Sequence, residues 1–325
     1  MKAAIITAAG QPPVYGDFQE PIASEGKIIV RVSASALSHL SKSRSSGLHY
    51  SSEGVFPSVP GVDGVGRTTD GRRVYFVLPE SPFGALAEKS LVSLRQCIVL
   101  PDSLDDITAA AIANPGMSAW AALRERAVLQ PGETVLVNGA TGTAGRIAVQ
   151  LAKYLGAGKV IATGRNEREL KELSSLGADV SIPFALGADF PSGSEQFEKL
   201  LMEELAKGID VVVDYLWGES ARTIIVAIAK AVEDARPVRF VQVGTASMEE
   251  TIPLSGAALR SSAIQLMGSG LKSVPYIKLL EAIRNVFEAV EPAGLLIATK
   301  AVPLALIEET WENSPGKPRL VYAIP

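Results

Sequence analysis

The stretch VLVNGATGTAGRIAVQLAK, residues 135–153, constrains the fold more than any other part of the chain. A short apolar strand runs into three glycines, Gly139, Gly142 and Gly145, and a helical pattern follows at once. Glycines at such a junction allow a tight turn, let a ligand approach the backbone, and let the helix pack on its strand. The N-terminus of the helix then offers N–H groups to a phosphate. The stretch therefore predicts a dinucleotide-binding βα unit.

The turn differs at one position from the common G-x-G-x-x-G pattern, since Ala140 stands where many sites carry the first glycine. A glycine-rich turn that binds no ligand is the alternative, but the strand before it, the helix after it and the further βα units favour a cofactor site. We expect the pyrophosphate to lie on Gly142–Gly145, within a cofactor-contacting turn made of Gly139, Ala140, Thr141, Gly142, Thr143, Ala144 and Gly145.

The residue pattern changes near position 125. Before it, short alternating strands are separated by Gly, Pro, Ser and Asp, which is typical of a small β-rich unit. After it, strands alternate with helices, which indicates a parallel sheet. The tail PGKPRLVYAIP ends in a strand-like run that could return to the β-rich part. We predict an α/β protein with a β-rich domain of residues 1–122 and 271–325 and a doubly wound cofactor domain of residues 123–270.

The composition of the chain limits the kinds of binding partner that we expect. The 325 residues are 47% hydrophobic and 20% charged, as in ordinary globular proteins. The net charge of −4 and the lack of a long basic run give no reason to expect nucleic acid or an anionic membrane. No stretch reaches the roughly 18 apolar residues of a membrane helix, and the N-terminal apolar run is too short for a secretory signal. Cys97 is the only cysteine, so a reducing, cytoplasmic location is expected.

The end of the second strand of the cofactor domain indicates which dinucleotide binds. An NAD site usually has Asp or Glu about 20 residues past the first glycine. Here the strand KVIAT ends in Gly164, Arg165, Asn166, Glu167 and Arg168, so guanidinium groups stand at its tip. Guanidinium pairs well with a 2′-phosphate. We predict NADPH, with Gly164, Arg165, Asn166 and Arg168 among its contacts; the alternative is that both arginines are solvated surface charges.

The chain resembles the medium-chain dehydrogenase/reductase superfamily, and within it the zinc-independent quinone oxidoreductases. The resemblance extends over essentially the whole chain and rests on these segments, in order: GKIIVRVSASALS, VPGVDGVGR, GALAEKSLV, AAAIANPGMSAWAAL, PGETVLVNGATGTAGRIAVQLAKYLGAGKVIATG, LGAD and PGKPRLV. It implies a GroES-like β-rich catalytic domain, a Rossmann domain, and a cofactor in the cleft between them. It also implies a homodimer joined through SSAIQLMGS, residues 261–269, unless this is an ordinary internal strand.

The resemblance suggests further cofactor contacts. Ser118 corresponds to a family threonine near the nicotinamide, although it could equally serve packing at a helix start. Two segments that follow strands could hold the carboxamide through their backbone; their residues are Val243, Gly244, Thr245, Gly268 and Ser269.

Alcohol dehydrogenases of this superfamily hold a catalytic zinc, which needs three protein ligands. Ser38 stands where those enzymes place a cysteine, and Val62 stands where they have the histidine of GHE. His39 and His49 are the only histidines, and neither aligns with the expected ligand. The four-cysteine structural lobe is impossible with one cysteine. We therefore expect no metal.

Without a Lewis acid, hydride transfer suits an acceptor that is already electrophilic, such as a quinone or an α,β-unsaturated carbonyl. The loop SRSSGLHYSSEGVFPSVPG aligns with a family segment beside the nicotinamide. Tyr50 or His49 could donate a hydrogen bond or a proton to the acceptor, and Ser38 could also stabilise its charge, although Tyr50 and His49 could be loop-surface residues. The expected function is NADPH-dependent quinone or enone reduction. An enoyl-thioester reductase and a non-catalytic NADPH-binding redox sensor are the alternatives.

Overall fold

The computed structural model describes residues 1–47, 54–313 and 317–325. Its strands are β1 (Lys2–Ile5), β2 (Val14–Asp17), β3 (Lys27–Ala36), β4 (Asp63–Thr68), β5 (Arg73–Val77), β6 (Lys89–Ser93), β7 (Cys97–Val99), β8 (Thr134–Asn138), β9 (Lys159–Gly164), β10 (Val180–Pro183), β11 (Val211–Asp214), β12 (Pro237–Gln242), β13 (Ala263–Gly268), β14 (Thr299–Pro303) and β15 (Arg319–Ala323). Its helices are α1 (His39–Ser45), α2 (Asp106–Trp120), α3 (Thr143–Tyr154), α4 (Glu167–Glu172), α5 (Gly193–Leu205), α6 (Gly218–Ala231), α7 (Gly256–Arg260), α8 (Tyr276–Ala289) and α9 (Ile307–Thr310). None of these helices is long and apolar enough to cross a membrane.

The chain forms two compact units, residues 1–114 with 296–325 and residues 115–295. These boundaries differ from the predicted ones, chiefly because α8 belongs to the second unit rather than to the β-rich unit. Leu279 of α8 packs with Ala121, which continues α2 as a π-helical turn. Gly116 lies so close to α8 that a Cβ there would come within 2.5 Å of Val286. The apolar face of α8 therefore fixes the boundary, and amphipathic periodicity alone does not say which neighbour that face covers.

The first unit is built around one long strand. β3 pairs antiparallel with β4, β6 and β15. The sheet of seven described strands has the order β14-β15-β3-β4-β5-β7, and β6 joins it by pairing with β3. Val321 of β15 lies opposite Ala36 of β3, so the C-terminal tail does return to the β-rich unit, as predicted. Phe76, Leu86 and Tyr322 are fully buried in its apolar core.

The second unit contains a six-stranded parallel sheet with the order β10-β9-β8-β11-β12-β13. The strand order reverses between β8 and β11, which are neighbours in space but are separated in the chain by β9 and β10. Ligands of such sheets bind outside the carboxyl ends of the strands at this reversal point. The α/β fold with a Rossmann-like unit and a β-rich unit is confirmed.

Candidate functional site

The glycine-rich turn lies at the carboxyl end of β8, beside the reversal point. Gly139 has φ of 80°, a left-handed conformation that glycine adopts without strain. The N–H groups of Gly139 and Ala140 donate to the carbonyl of Thr163 on β9, at 3.2 and 2.9 Å. The N–H of Gly142 donates to the carbonyl of Gly139 at 3.1 Å, and α3 begins at the next residue. The turn is therefore fastened to the neighbouring strand before the helix starts.

Two glycines of the turn have different roles in packing. A Cβ on Gly145 would lie 2.3 Å from the Gly139 carbonyl oxygen and 2.7 Å from the Cα of Ala140, so the helix packs directly on the turn. A Cβ on Gly142 would meet only the Gly139 carbonyl oxygen, at 3.4 Å. Space beside Gly142 at the start of α3 therefore remains open, as a phosphate-binding turn requires.

A buried hydrogen-bond network joins the three strands around the reversal point. The Thr163 hydroxyl donates to the side-chain carbonyl of Asn138 at 2.7 Å. The Asn138 amide donates to the Asp214 carboxylate at 2.8 Å and to the Ser220 hydroxyl at 3.0 Å. All four side chains are almost fully buried. The network therefore sets the relative positions of the ends of β8, β9 and β11 and of the start of α6.

The Asp214 carboxylate also holds the turn that follows β11. It accepts hydrogen bonds from the N–H groups of Leu216 and Trp217, at 3.0–3.2 Å. Trp217 has φ of 61° and ψ of −151°, a conformation that is costly for any residue except glycine. Burial raises the pKa of Asp214 to about 6, and the hydrogen bonds from Leu216, Asn138 and Trp217 oppose that rise. The carboxylate thus stabilises a strained turn while being poorly solvated itself.

The arginines predicted to bind the 2′-phosphate lie just beyond β9. Arg165 and Arg168 are exposed, and neither forms an ion pair or hydrogen bond with another described residue. Arg146 of α3, by contrast, pairs with Glu172 at 3.0 Å and with Glu169 at 3.5 Å. The two arginines that follow β9 are therefore better placed than Arg146 to take up a new anionic partner.

The remaining cofactor candidates end up near the same edge of the sheet. Gly164 ends β9, where a Cβ would come within 3.0 Å of Thr141 in the turn, and the side chain of Asn166 caps α4. Strand register places Asp214 beside Gln242 and Gln242 beside Gly268. The two other predicted segments therefore lie at the carboxyl ends of β12 and β13; their residues are Val243, Gly244, Thr245, Gly268 and Ser269. Ser118 lies on α2, against the hydroxyl of Tyr215.

The catalytic candidates belong to the first unit. Tyr50 and His49 lie outside the described residues. Ser38 is buried and caps α1: its hydroxyl accepts from the N–H of Ser41 at 3.0 Å and lies 2.9 Å from the Ser41 hydroxyl. A pocket of about 100 Å³ opens beside this cap, and its polar lining includes Ser41, Arg44, Ser45, Ser58 and Ser81.

The chain is similar in sequence to known dehydrogenases and reductases. Residues 144–286 match the family model described as zinc-binding dehydrogenase. The "probable NADPH-dependent quinone reductase tdiC" of Emericella nidulans is 26% identical over the whole of both chains. The 2-methylene-furan-3-one reductase of Solanum lycopersicum is 30% identical over 63% of this chain and 54% of its own.

These similarities support the resemblance of the chain to the medium-chain dehydrogenase/reductase superfamily. Its fold agrees, since the quinone oxidoreductase of Thermus thermophilus, solved alone and with NADPH, superposes with a TM-score of 0.78. That structure is 24% identical and matches 99% of this chain and 100% of its own, a level of identity that supports the fold alone.

The matched family model is described as zinc-binding, whereas the sequence predicts no metal. In the part of the chain that the structure describes, no group of three or more His, Cys, Asp and Glu residues is placed to share a metal ion. Asp63, in the segment where zinc-dependent members have GHE, is buried and accepts a hydrogen bond from the Tyr75 hydroxyl at 2.6 Å. Zinc independence remains a prediction.

Sequence reasoning missed the residues that support the turn. The sequence prediction does not include Asn138, Thr163 or Asp214, although each is a polar residue near the carboxyl end of a strand with an apolar centre. Burying a polar side chain is costly unless it finds a hydrogen-bond partner. Three such residues at equivalent strand ends were therefore the available signal for a shared network.

We expect Gly145→Val to lower the free energy of unfolding by about 3 kcal/mol, near the upper end of the usual cost of overpacking. Its side chain would collide with the backbone of Gly139 and Ala140. Gly142→Val should cost about 1 kcal/mol or less, because its side chain enters open space. Urea denaturation of both variants tests this, and equal losses at the two positions would contradict the packing described here.

The stability contributed by Asp214 should fall as the pH rises. The folded-state pKa of about 6 lies above the ordinary value of 3.8, so the folded protein binds the proton more tightly than the unfolded chain. The contribution is complete below about pH 4 and is lost as pH rises through 6, by about 3 kcal/mol in all. Denaturation of wild type and Asp214→Asn between pH 4.5 and 8 should show the difference in unfolding free energy shrinking with pH. A pH-independent difference would argue against the raised pKa.

Proposed function

We propose that the protein is an NADPH-dependent oxidoreductase that transfers hydride to a quinone or to an α,β-unsaturated carbonyl, without zinc. The observation that carries the proposal is the pairing of an open glycine turn at Gly142 with two exposed arginines, Arg165 and Arg168, just beyond the adjacent strand. A helix N-terminus and bare backbone suit a pyrophosphate, and guanidinium groups suit a 2′-phosphate.

The residues of the second unit have separate roles in this proposal. Gly142–Gly145 would bind the pyrophosphate, and Arg165 and Arg168 would bind the 2′-phosphate. When bound, NADPH supplies the hydride. Backbone groups of Val243–Thr245 and of Gly268–Ser269, together with Ser118, would orient the nicotinamide. The protein contributes mainly positioning and electrostatics, because the cofactor carries the chemistry.

The acceptor class is supported by the relatives. One is named a quinone reductase, and the name of another, 2-methylene-furan-3-one reductase, describes a carbonyl conjugated to an alkene. Both acceptors develop negative charge on oxygen when hydride arrives, and hydrogen-bond donors stabilise that charge. Ser38, Tyr50 and His49 remain the proposed donors, and the polar pocket beside α1 is the proposed place for the acceptor's polar end.

Cofactor choice provides the first test. Replacing Arg165 and Arg168 together by alanine should weaken NADPH binding about tenfold or more and leave NADH almost unchanged, because a charge-assisted hydrogen bond is worth about 1.5–3 kcal/mol. Gly142→Val should abolish the binding of both, since its side chain would occupy the space of the pyrophosphate. Isothermal titration calorimetry of the wild type and of both variants, with NADPH and with NADH, measures these affinities. Equal wild-type affinity for NADPH and NADH would refute the assignment of the arginines.

Turnover in the same preparation separates this function from its alternatives. NADPH oxidation should proceed with simple quinones or enones and should not change when a chelator is added. Turnover confined to enoyl thioesters would identify an enoyl-thioester reductase instead. NADPH binding without turnover across the whole panel would favour a redox sensor.

We also propose a homodimer formed through β13, which ends the order of the parallel sheet. Leu266 on this strand is 41% exposed, and an open strand edge can pair with another copy. Light scattering should therefore give about twice the chain mass of 34.2 kDa. Replacing Leu266 by lysine should shift the mass toward the monomer, and a wild-type monomer at micromolar concentration would rule the dimer out.

A further inference from the structure

The hydroxyl of Tyr215 is a buried polar group with no evident purpose in the packing. Tyr215 directly follows β11, and the residue is only 9% exposed. Among the described residues, none meets the geometry of a hydrogen bond with this hydroxyl. Buried hydroxyls without partners are uncommon because they lose their hydrogen bonds to water. Phenylalanine would fill the same volume without that cost, so the hydroxyl calls for an explanation.

The polar side chain that acts on this hydroxyl is Ser118. Burial raises the pKa of Tyr215, and the Ser118 hydroxyl opposes that rise, so the two groups lie close together although short of a full hydrogen bond. The Ser118 hydroxyl donates instead to the carbonyl of Pro115, at 2.9 Å. Ser118 is partly exposed, whereas Tyr215 is buried. Ser118 is therefore the more accessible of the two hydroxyl-bearing residues.

The backbone of Tyr215 lies at the point where the strand order reverses. Its N–H donates to the carbonyl of Asn138 at 3.2 Å, and its carbonyl accepts from the N–H of Ala246 at 3.1 Å. In the sheet order, β11 lies on one side of β8, and β9, which leads to Arg165, lies on the other. A dinucleotide whose 2′-phosphate is bound beyond β9 and whose pyrophosphate is on the β8 turn must extend its nicotinamide half toward β11.

We propose that Tyr215 is a positioning residue for the nicotinamide half of the cofactor and acts through Ser118. This inference rests on the proposed binding of NADPH. When the cofactor binds, the Ser118 side chain rotates, so that its hydroxyl donates to a polar group of the nicotinamide nucleotide instead of to the Pro115 carbonyl and its oxygen comes within hydrogen-bond distance of Tyr215. The Tyr215 hydroxyl then donates to the Ser118 oxygen. The chain of two hydrogen bonds is completed only in the bound state, which explains why the hydroxyl has no partner without it.

The test compares two tyrosine variants by calorimetry with NADPH and with adenosine 2′,5′-bisphosphate, which lacks the nicotinamide half. Tyr215→Phe should weaken NADPH about tenfold and leave the bisphosphate unchanged, without lowering the melting temperature of the free protein. Tyr322→Phe is the matched control. Its hydroxyl is satisfied, lying 2.9 Å from that of Thr310, so this variant should lose stability and keep wild-type affinity for NADPH.

The variant Ser118→Ala provides a second test of the same proposal. If the two hydroxyls form one chain, Ser118→Ala should weaken NADPH to a similar degree, and the double variant should be no weaker than Ser118→Ala alone. Unchanged NADPH affinity in Tyr215→Phe would overturn the inference while leaving the proposed function intact. An equal loss for NADPH and the bisphosphate would also overturn it, because the hydroxyl would then act on the whole fold. A wild-type protein that binds neither ligand would instead refute the proposed function.

Discussion

The hydrogen bonds of the Asn138 side chain tie together the part of the molecule on which the candidate site depends. The side chain accepts from Thr163 on one neighbouring strand and donates to Asp214 on the other. Backbone ladders and apolar packing also join these strands, but they do not fix the loops beyond the strand ends. A buried polar network fixes those loops, because each member would lose a partner if the strands shifted.

The network has consequences for the backbone on either side. Thr163 also accepts the first two N–H groups of the glycine turn through its carbonyl, and Asp214 accepts the N–H groups of the turn that contains Trp217. Backbone strain persists only where the surroundings hold it in place. The strained conformation of Trp217 and the left-handed conformation of Gly139 occur in the loops that follow β11 and β8, the two strands at the reversal point. These loops are thus held by buried hydrogen bonds from the strand ends.

The candidate site residues of the two units differ in their surroundings. In the parallel-sheet unit, the predicted turn, the arginines after β9 and the ends of β12 and β13 all come to one edge of the sheet. In the β-rich unit, the one described candidate, Ser38, uses its hydroxyl to cap a helix. A residue type that suits catalysis also suits capping, and only its hydrogen-bond partners distinguish the two roles.

The sequence by itself determined the elements whose signal is local: the βα unit with Gly139, Gly142 and Gly145, the alternation of strands and helices, and the arginines that follow β9. Each depends on residues close together in the chain, where steric limits and periodicity act. The tertiary structure alone decided that α8 covers Gly116, that Asn138, Thr163 and Asp214 meet, and that the Tyr215 hydroxyl is left without a partner. These facts depend on strand order and on packing between residues up to 170 positions apart, Gly116 and Val286 among them, and no local pattern encodes such pairings.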